Sequence, residues 1–140
     1  MFLQTEDYAA ITDTATLDVI QQSDEVTRQR AEAYAIEEIS SYLRARYDMA
    51  AAYATTGEAR NKQLVMMTAD VALYHLAAWM PARMGFDIRE TRYNAVIKTL
   101  VDVHRKLQMD LPTYTDPITG ETDTANPVKY GSWPKNKNDW

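Results

Sequence analysis

Between residues 1 and 110 the apolar positions recur at intervals of three and four, and nowhere in that stretch do apolar and polar residues alternate for long. This is the period of helices that pack one face on a core, and it predicts an all-α fold. Thr5, followed by Glu6 and Asp7, marks a first helix start: a hydroxyl to cap free amides, and acids beside the positive end of the helix dipole. The helix it predicts is short, roughly residues 6 to 12. Thr14 or Thr16 caps a second short turn holding Leu17, Val19 and Ile20. Ser23 or Asp24 then opens a long helix in which Ile36, Ile39, Leu43 and Tyr47 form one apolar stripe, with Glu32, Glu37, Glu38, Arg44 and Arg46 mostly off it.

The alanine-rich residues 49–56 either continue that helix or form a turn of their own, and Gly57 is the natural stop. From 58 to 80 the chain is apolar nearly all round, with Leu64, Val65, Met66, Met67, Val71, Leu73, Leu76 and Trp79, which predicts the central helix. Its apolar part approaches membrane-span length, but Asp70 near the middle would cost roughly 2.5–3.5 kcal/mol in a bilayer, so it reads as a buried helix. Pro81 and Gly85 end it. Asp87 and Glu90, three apart, resemble a capping box for a last helix carrying Tyr93, Val96, Ile97, Leu100, Val101 and Leu107 inward. Arg83, Arg89 and Arg92 leave that stripe at its start, which points them outward.

At Asp110 the texture changes. Four of the five prolines fall in the last 31 residues, and the aliphatic residues thin to Leu111, Ile118 and Val128, too few for a core. The segment nevertheless keeps Tyr114, Tyr130, Trp133 and Trp140, large anchors suited either to docking on another surface or to folding back on the bundle. The predicted organisation is therefore a helical bundle, residues 1–109, of two short N-terminal helices and three longer ones. An extended C-terminal docking arm, residues 110–140, follows it.

Composition removes much chemistry. The 140 residues include no cysteine, which excludes disulfide scaffolds, zinc fingers and thiol nucleophiles, and only His75 and His104, which leaves no multi-histidine metal site. Four glycines leave no phosphate-cradling loop. The acid pairs Asp24/Glu25 and Glu37/Glu38 are adjacent, diverge around a helix and read as solvated faces. His75 reads as a buried histidine satisfied by one hydrogen bond, and His104 as a cation near a helix C-terminus. An enzyme is not expected, nor a cofactor or metal. No targeting segment is evident at the start, which suggests a cytoplasmic origin.

The net charge of −5 conceals a polarity: −7 over residues 1–40, +4 over 41–109 and −2 over 110–140. Such a molecule suits head-to-tail contact between copies. The bases Arg83, Arg89, Arg92, Lys98, Arg105 and Lys106 are diluted by Asp87, Glu90 and Asp102, so an acidic partner protein suits them better than DNA.

Strings spread over the whole chain resemble one family. They are Tyr8 and Ile11, LDVI at 17–20, ISSYLRARYD at 39–48, Thr56 with Gly57, Arg60 with Asn61, and DVALYHL at 70–76. PAR at 81–83, Ile88 with Arg89, RYNA at 92–95 and DLP at 110–112 continue the series, and GS at 131–132, PKN at 134–136 and Trp140 end it. In order and spacing they resemble the small helical head-tail adaptor (head completion or connector) proteins of tailed bacteriophages, including the Mu-like prophage branch. The resemblance implies a structural virion protein, made in the host cytoplasm, that forms a dodecameric ring beneath the portal. It would bridge portal to stopper or tail-completion proteins around an axial channel that DNA traverses without specific binding, with no catalysis, cofactor or membrane contact. The interface residues expected toward the portal or a neighbouring subunit are Arg83, Arg89, Arg92, Tyr114, Tyr130, Trp133, Lys135 and Trp140. Acidic residues of the first 40 are expected to approach the channel. The rival reading is a small helical phage or prophage regulator that binds DNA or a transcription factor.

Overall fold

Local chemistry sets the helix starts. The computed structural model describes residues 1–13, 15, 18, 25–78, 85–115 and 120, and within them lie α1 (Thr5–Ala9), α2 (Glu25–Leu43), α3 (Met49–Ala54), α4 (Lys62–Ala77) and α5 (Phe86–Arg105). No strand is found among the described residues, and the fold is all-α. Asp7 accepts the Gln4 amide at 2.7 Å, so the N-cap of α1 is Gln4, one residue before the expected Thr5, which lies inside the helix. Asp48 accepts the Ala51 amide at 3.0 Å and makes residues 49–54 a separate helix. Asn61 accepts the Leu64 amide at 2.9 Å, which moves the start of the central helix from the expected Glu58 to Lys62. Residues 57–59 form instead a 3₁₀ turn.

The last helix also begins differently from expectation. Gly85 stands at its N-cap in the left-handed region, φ 62° and ψ 63°, where a side chain is disfavoured by about 1 kcal/mol or more. Asp87 therefore falls inside the first turn, where its charge still suits the helix dipole, and no capping box forms with Glu90. The second short turn expected around Leu17, Val19 and Ile20 lies outside the described residues, as do Trp79, Pro81 and Arg83.

α4 is the centre, packed against both α2 and α5, which also meet each other, and touched by α1. Ten of its 16 residues are buried, among them Leu64, Val71, Leu73 and Leu76. Each such side chain contributes about 1.5–3 kcal/mol on leaving water. α2 meets it through Ala31, Ala35, Ile39 and Leu43, small residues first and large ones last, and α5 through Val96, Leu100 and Val103. Leu107, expected on that inner face, lies past the helix end and is exposed. Phe2 and Leu3 are core residues, Phe2 lying edge-on to Tyr53 with ring centroids 4.8 Å apart.

Polar pins hold the periphery. Arg60 reaches the Phe2 carbonyl at 2.9 Å and both oxygens of Asp7, at 2.6 and 3.2 Å, which ties the N-terminal residues to the loop before α4. Arg46 donates to the carbonyls of Val103 at 2.7 Å and Leu107 at 3.1 Å, closing the C-terminal end of α5 with a cation. The chain after α5 lies along the bundle for several residues. Met109 and Leu111 are buried, the Met109 amide donates to the Tyr47 hydroxyl, the Asp48 amide to the Pro112 carbonyl, and the Asn61 side chain to the Asp110 carbonyl.

Candidate protein-interaction surface

The residues expected at an interface occupy different environments. Arg92 forks onto Asp70, Nε to Oδ1 at 2.6 Å and Nη2 to Oδ2 at 3.0 Å. This clamp explains how the apolar central helix carries an acid, because the Asp70 side chain is only 5% exposed and a buried carboxylate is tolerable when paired bidentately. Arg92 itself remains 37% exposed on its outer side. Arg89 is only 5% exposed, contrary to its expected outward placement. It stands seven, eleven and fourteen residues before Val96, Leu100 and Val103, and so shares their inward face; its Nη1 reaches the Ile11 carbonyl at 3.4 Å. Burial, and then the neighbouring Arg92, hold its pKa below the usual arginine value, against the opposing pull of Asp70 and Asp13. Tyr114 donates its hydroxyl to the Arg44 carbonyl at 2.9 Å and leaves its ring exposed. Arg83, Tyr130, Trp133, Lys135 and Trp140 lie outside the described residues.

A different group of side chains is brought together by α2, α4 and α5. Tyr74 and Tyr93 stack with centroids 4.1 Å apart and planes 14° from parallel. Phe86 tilts against Tyr74 at 5.8 Å, and His75 meets Tyr93 and Tyr34 edge-on at 6.4 and 6.2 Å. Glu38, read from sequence as part of a solvated pair, is half-buried at the middle of these rings. Its Oε1 accepts the Tyr93 hydroxyl at 2.5 Å and its Oε2 lies 3.0 Å from His75 Nε2. Burial, the bond to Glu38 and that carboxylate's charge all raise the Tyr93 pKa, so the phenol remains the donor. Among the described residues His75 has one hydrogen bond, as expected, but to a carboxylate of another helix and at the edge of the core.

The signal for this cluster was present in the sequence: Tyr34, Glu38 and Tyr42 share a face of α2 at intervals of four, and Phe86 and Tyr93 share a face of α5 at an interval of seven. What no spacing supplies is the register that sets the three helices against each other. Rings fixed by one another and by a carboxylate, with their outer edges open, bury a large area at small entropic cost, the character of an interface anchor. Among the described residues no three His, Asp or Glu side chains are placed to hold a metal ion, and no helix is long and apolar enough to cross a membrane.

The sequence model of the family described as "Bacteriophage Mu, Gp36" matches residues 2–126. The chain belongs to this phage family. No curated protein and no solved structure gives a match. The match to the Gp36 family ends before Tyr130, Trp133, Lys135 and Trp140, and encloses the whole described bundle. Several residues that carried the resemblance prove to be its polar pins: Tyr8 on Glu32, Arg60 on Asp7, Asn61 on Leu64 and Asp110, and Arg92 on Asp70. Those residues are therefore joints of the fold.

Proposed function

We propose that this phage protein is a head-tail adaptor of the virion, a structural ring subunit that joins the portal to stopper or tail-completion proteins around the DNA channel. The observation that carries the reading is the aromatic face around Glu38, a partly exposed surface of mutually packed rings built by all three long helices of a Gp36-family bundle. A second observation supports it: of the arginines that made a nucleic-acid reading worth weighing, Arg89 is buried and Arg92 is committed to Asp70, which weakens any phosphate-binding stripe on α5. Polarised charge along the chain suits repeated head-to-tail contact between copies. In this reading Tyr114, the outer edge of Arg92 and the aromatic residues of the C-terminal segment face the portal or a neighbouring subunit.

The test is the mass of the purified full chain by light scattering, alone and with portal protein, beside its retention on heparin. A ring, or a portal-dependent assembly, without heparin retention is the expected outcome. A dimer that ignores portal and binds heparin tightly would overturn the adaptor reading in favour of a DNA-binding regulator.

A further inference from the structure

Among the described residues the face formed by Tyr34, Glu38, Tyr74, His75, Phe86 and Tyr93 is partly open: its outermost ring, Tyr34, is 60% exposed and the other five are half-buried. Beside it Glu37 is exposed and pairs with Arg44. The rings hold one another in place, so a partner covering them freezes few side chains. Carboxylate oxygens keep lone pairs beyond the donors they already meet, and tyrosine ring faces attract cations. A partner of matching chemistry brings its own aromatic rings and lysine or arginine side chains; a nucleic acid would meet two carboxylates of its own sign.

Residues 126–140 of this chain carry that chemistry, with Tyr130, Trp133 and Trp140 set among Lys129, Lys135 and Lys137 against the single acid Asp139. We propose that the aromatic face around Glu38 is the seat for the C-terminal segment of a neighbouring copy of this chain. The described chain runs to Thr115 beside the C-terminal end of α2, where Tyr114 is bonded to Arg44. The 13 residues from there to Lys129 can extend to roughly 45 Å. The 20-residue α5 is about 30 Å long, so the segment can pass beyond its own bundle to the next. Each copy gives one segment and receives one, a contact that repeats head to tail. Ring closure by this contact rests on the adaptor reading; the pairing of segment and seat does not.

The direct test titrates the full chain into a fluorescein-labelled peptide of residues 126–140 and follows anisotropy. Saturable binding is expected, weakened at least about tenfold by Tyr34→Ala in the chain, an exposed position whose loss leaves the helical circular dichroism unchanged. The peptide with Trp133→Ala and Trp140→Ala is expected not to bind. No saturable binding, or binding indifferent to Tyr34→Ala, overturns the proposal. Source is separated by photocrosslinking a chain with p-benzoylphenylalanine at position 34, mixed with isotopically heavy chain. Light-to-heavy crosslinks to residues 126–140 support the neighbour, and crosslinks confined within one chain overturn it. A chain that joins portal yet shows neither result refutes this seat and leaves the adaptor reading standing, whereas one that binds the peptide through Tyr34 but never joins portal does the reverse.

Discussion

Glu32 shows why a charged side chain on a helix cannot be assumed to face water. It is 4% exposed on the inner face of α2, and the Tyr8 hydroxyl donates to its Oε1 at 2.8 Å. Burial raises its pKa above the ordinary carboxylate value, outweighing the bond from Tyr8 and the charge of Arg28, 3.8 Å away, both of which lower it. A carboxyl whose folded-state pKa lies above its unfolded value holds its proton more tightly when folded. Its contribution to stability is thus fully present at acid pH and is lost as pH rises through the ordinary carboxylate range and then through the folded value. Glu32→Gln keeps an oxygen for the Tyr8 hydroxyl and has no charge to bury. The variant is expected to be more stable than the parent at pH 7, with the difference closing as pH falls toward 4, measured by urea midpoints across that range. A variant less stable at pH 7 would show that the Arg28 attraction outweighs burial. Neither the burial of Glu32 nor that of Arg89 was legible in the chain, because the partners that permit them, Tyr8 at 24 residues' distance and Ile11 at 78, are supplied by tertiary contact.

At the scale of elements, periodicity located the three long helices and their apolar stripes, since those follow from spacing alone. It misplaced helix starts by a few residues where an uncounted side chain did the capping, as Asn61 does, or where a left-handed glycine took that position, as Gly85 does. The coupling between elements was not legible in advance, and the Asp70–Arg92 clamp between α4 and α5 is its clearest case. Arg92→Ala strands a nearly buried carboxylate. Breaking a fully buried pair costs about 3–5 kcal/mol, and water reaching the exposed flank of Arg92 lowers this to about 1–3 kcal/mol. Replacing both partners by apolar residues, Asp70→Leu with Arg92→Met, removes the stranded charge and is expected to recover most of that loss. Urea unfolding of the single and double variants decides it: a double variant no better than Arg92→Ala would show that the clamp stabilises beyond its own compensation.

On the scale of the whole molecule, the chain reads as one core with a segment that cannot build another, and the N-terminal residues join that core through buried apolar side chains and the Arg60 guanidinium. Phe2 and Leu3 were legible only as two apolar residues before a run of acids; in the fold they are buried beside Arg60, whose guanidinium bonds the Phe2 carbonyl and the Asp7 carboxylate together. The bond to Asp7 is also the main cause that raises the Arg60 pKa. Because α1 has only five residues, it cannot hold itself as a helix. Its persistence depends on Tyr8 reaching Glu32 and on this guanidinium. Arg60→Ala is therefore expected to leave α4 protected from hydrogen exchange while the amides of α1 lose protection by a factor of ten or more, corresponding to about 1.4 kcal/mol or more. Arg60→Lys keeps the charge but offers a point rather than a fork, and cannot serve the Phe2 carbonyl and both Asp7 oxygens at once, so it is expected to fall between parent and alanine. Unaltered exchange in α1 on removal of Arg60 would mean that Phe2, Leu3 and Tyr8 anchor the N-terminus by burial alone. The cation would then only decorate a joint that the apolar contacts had already closed.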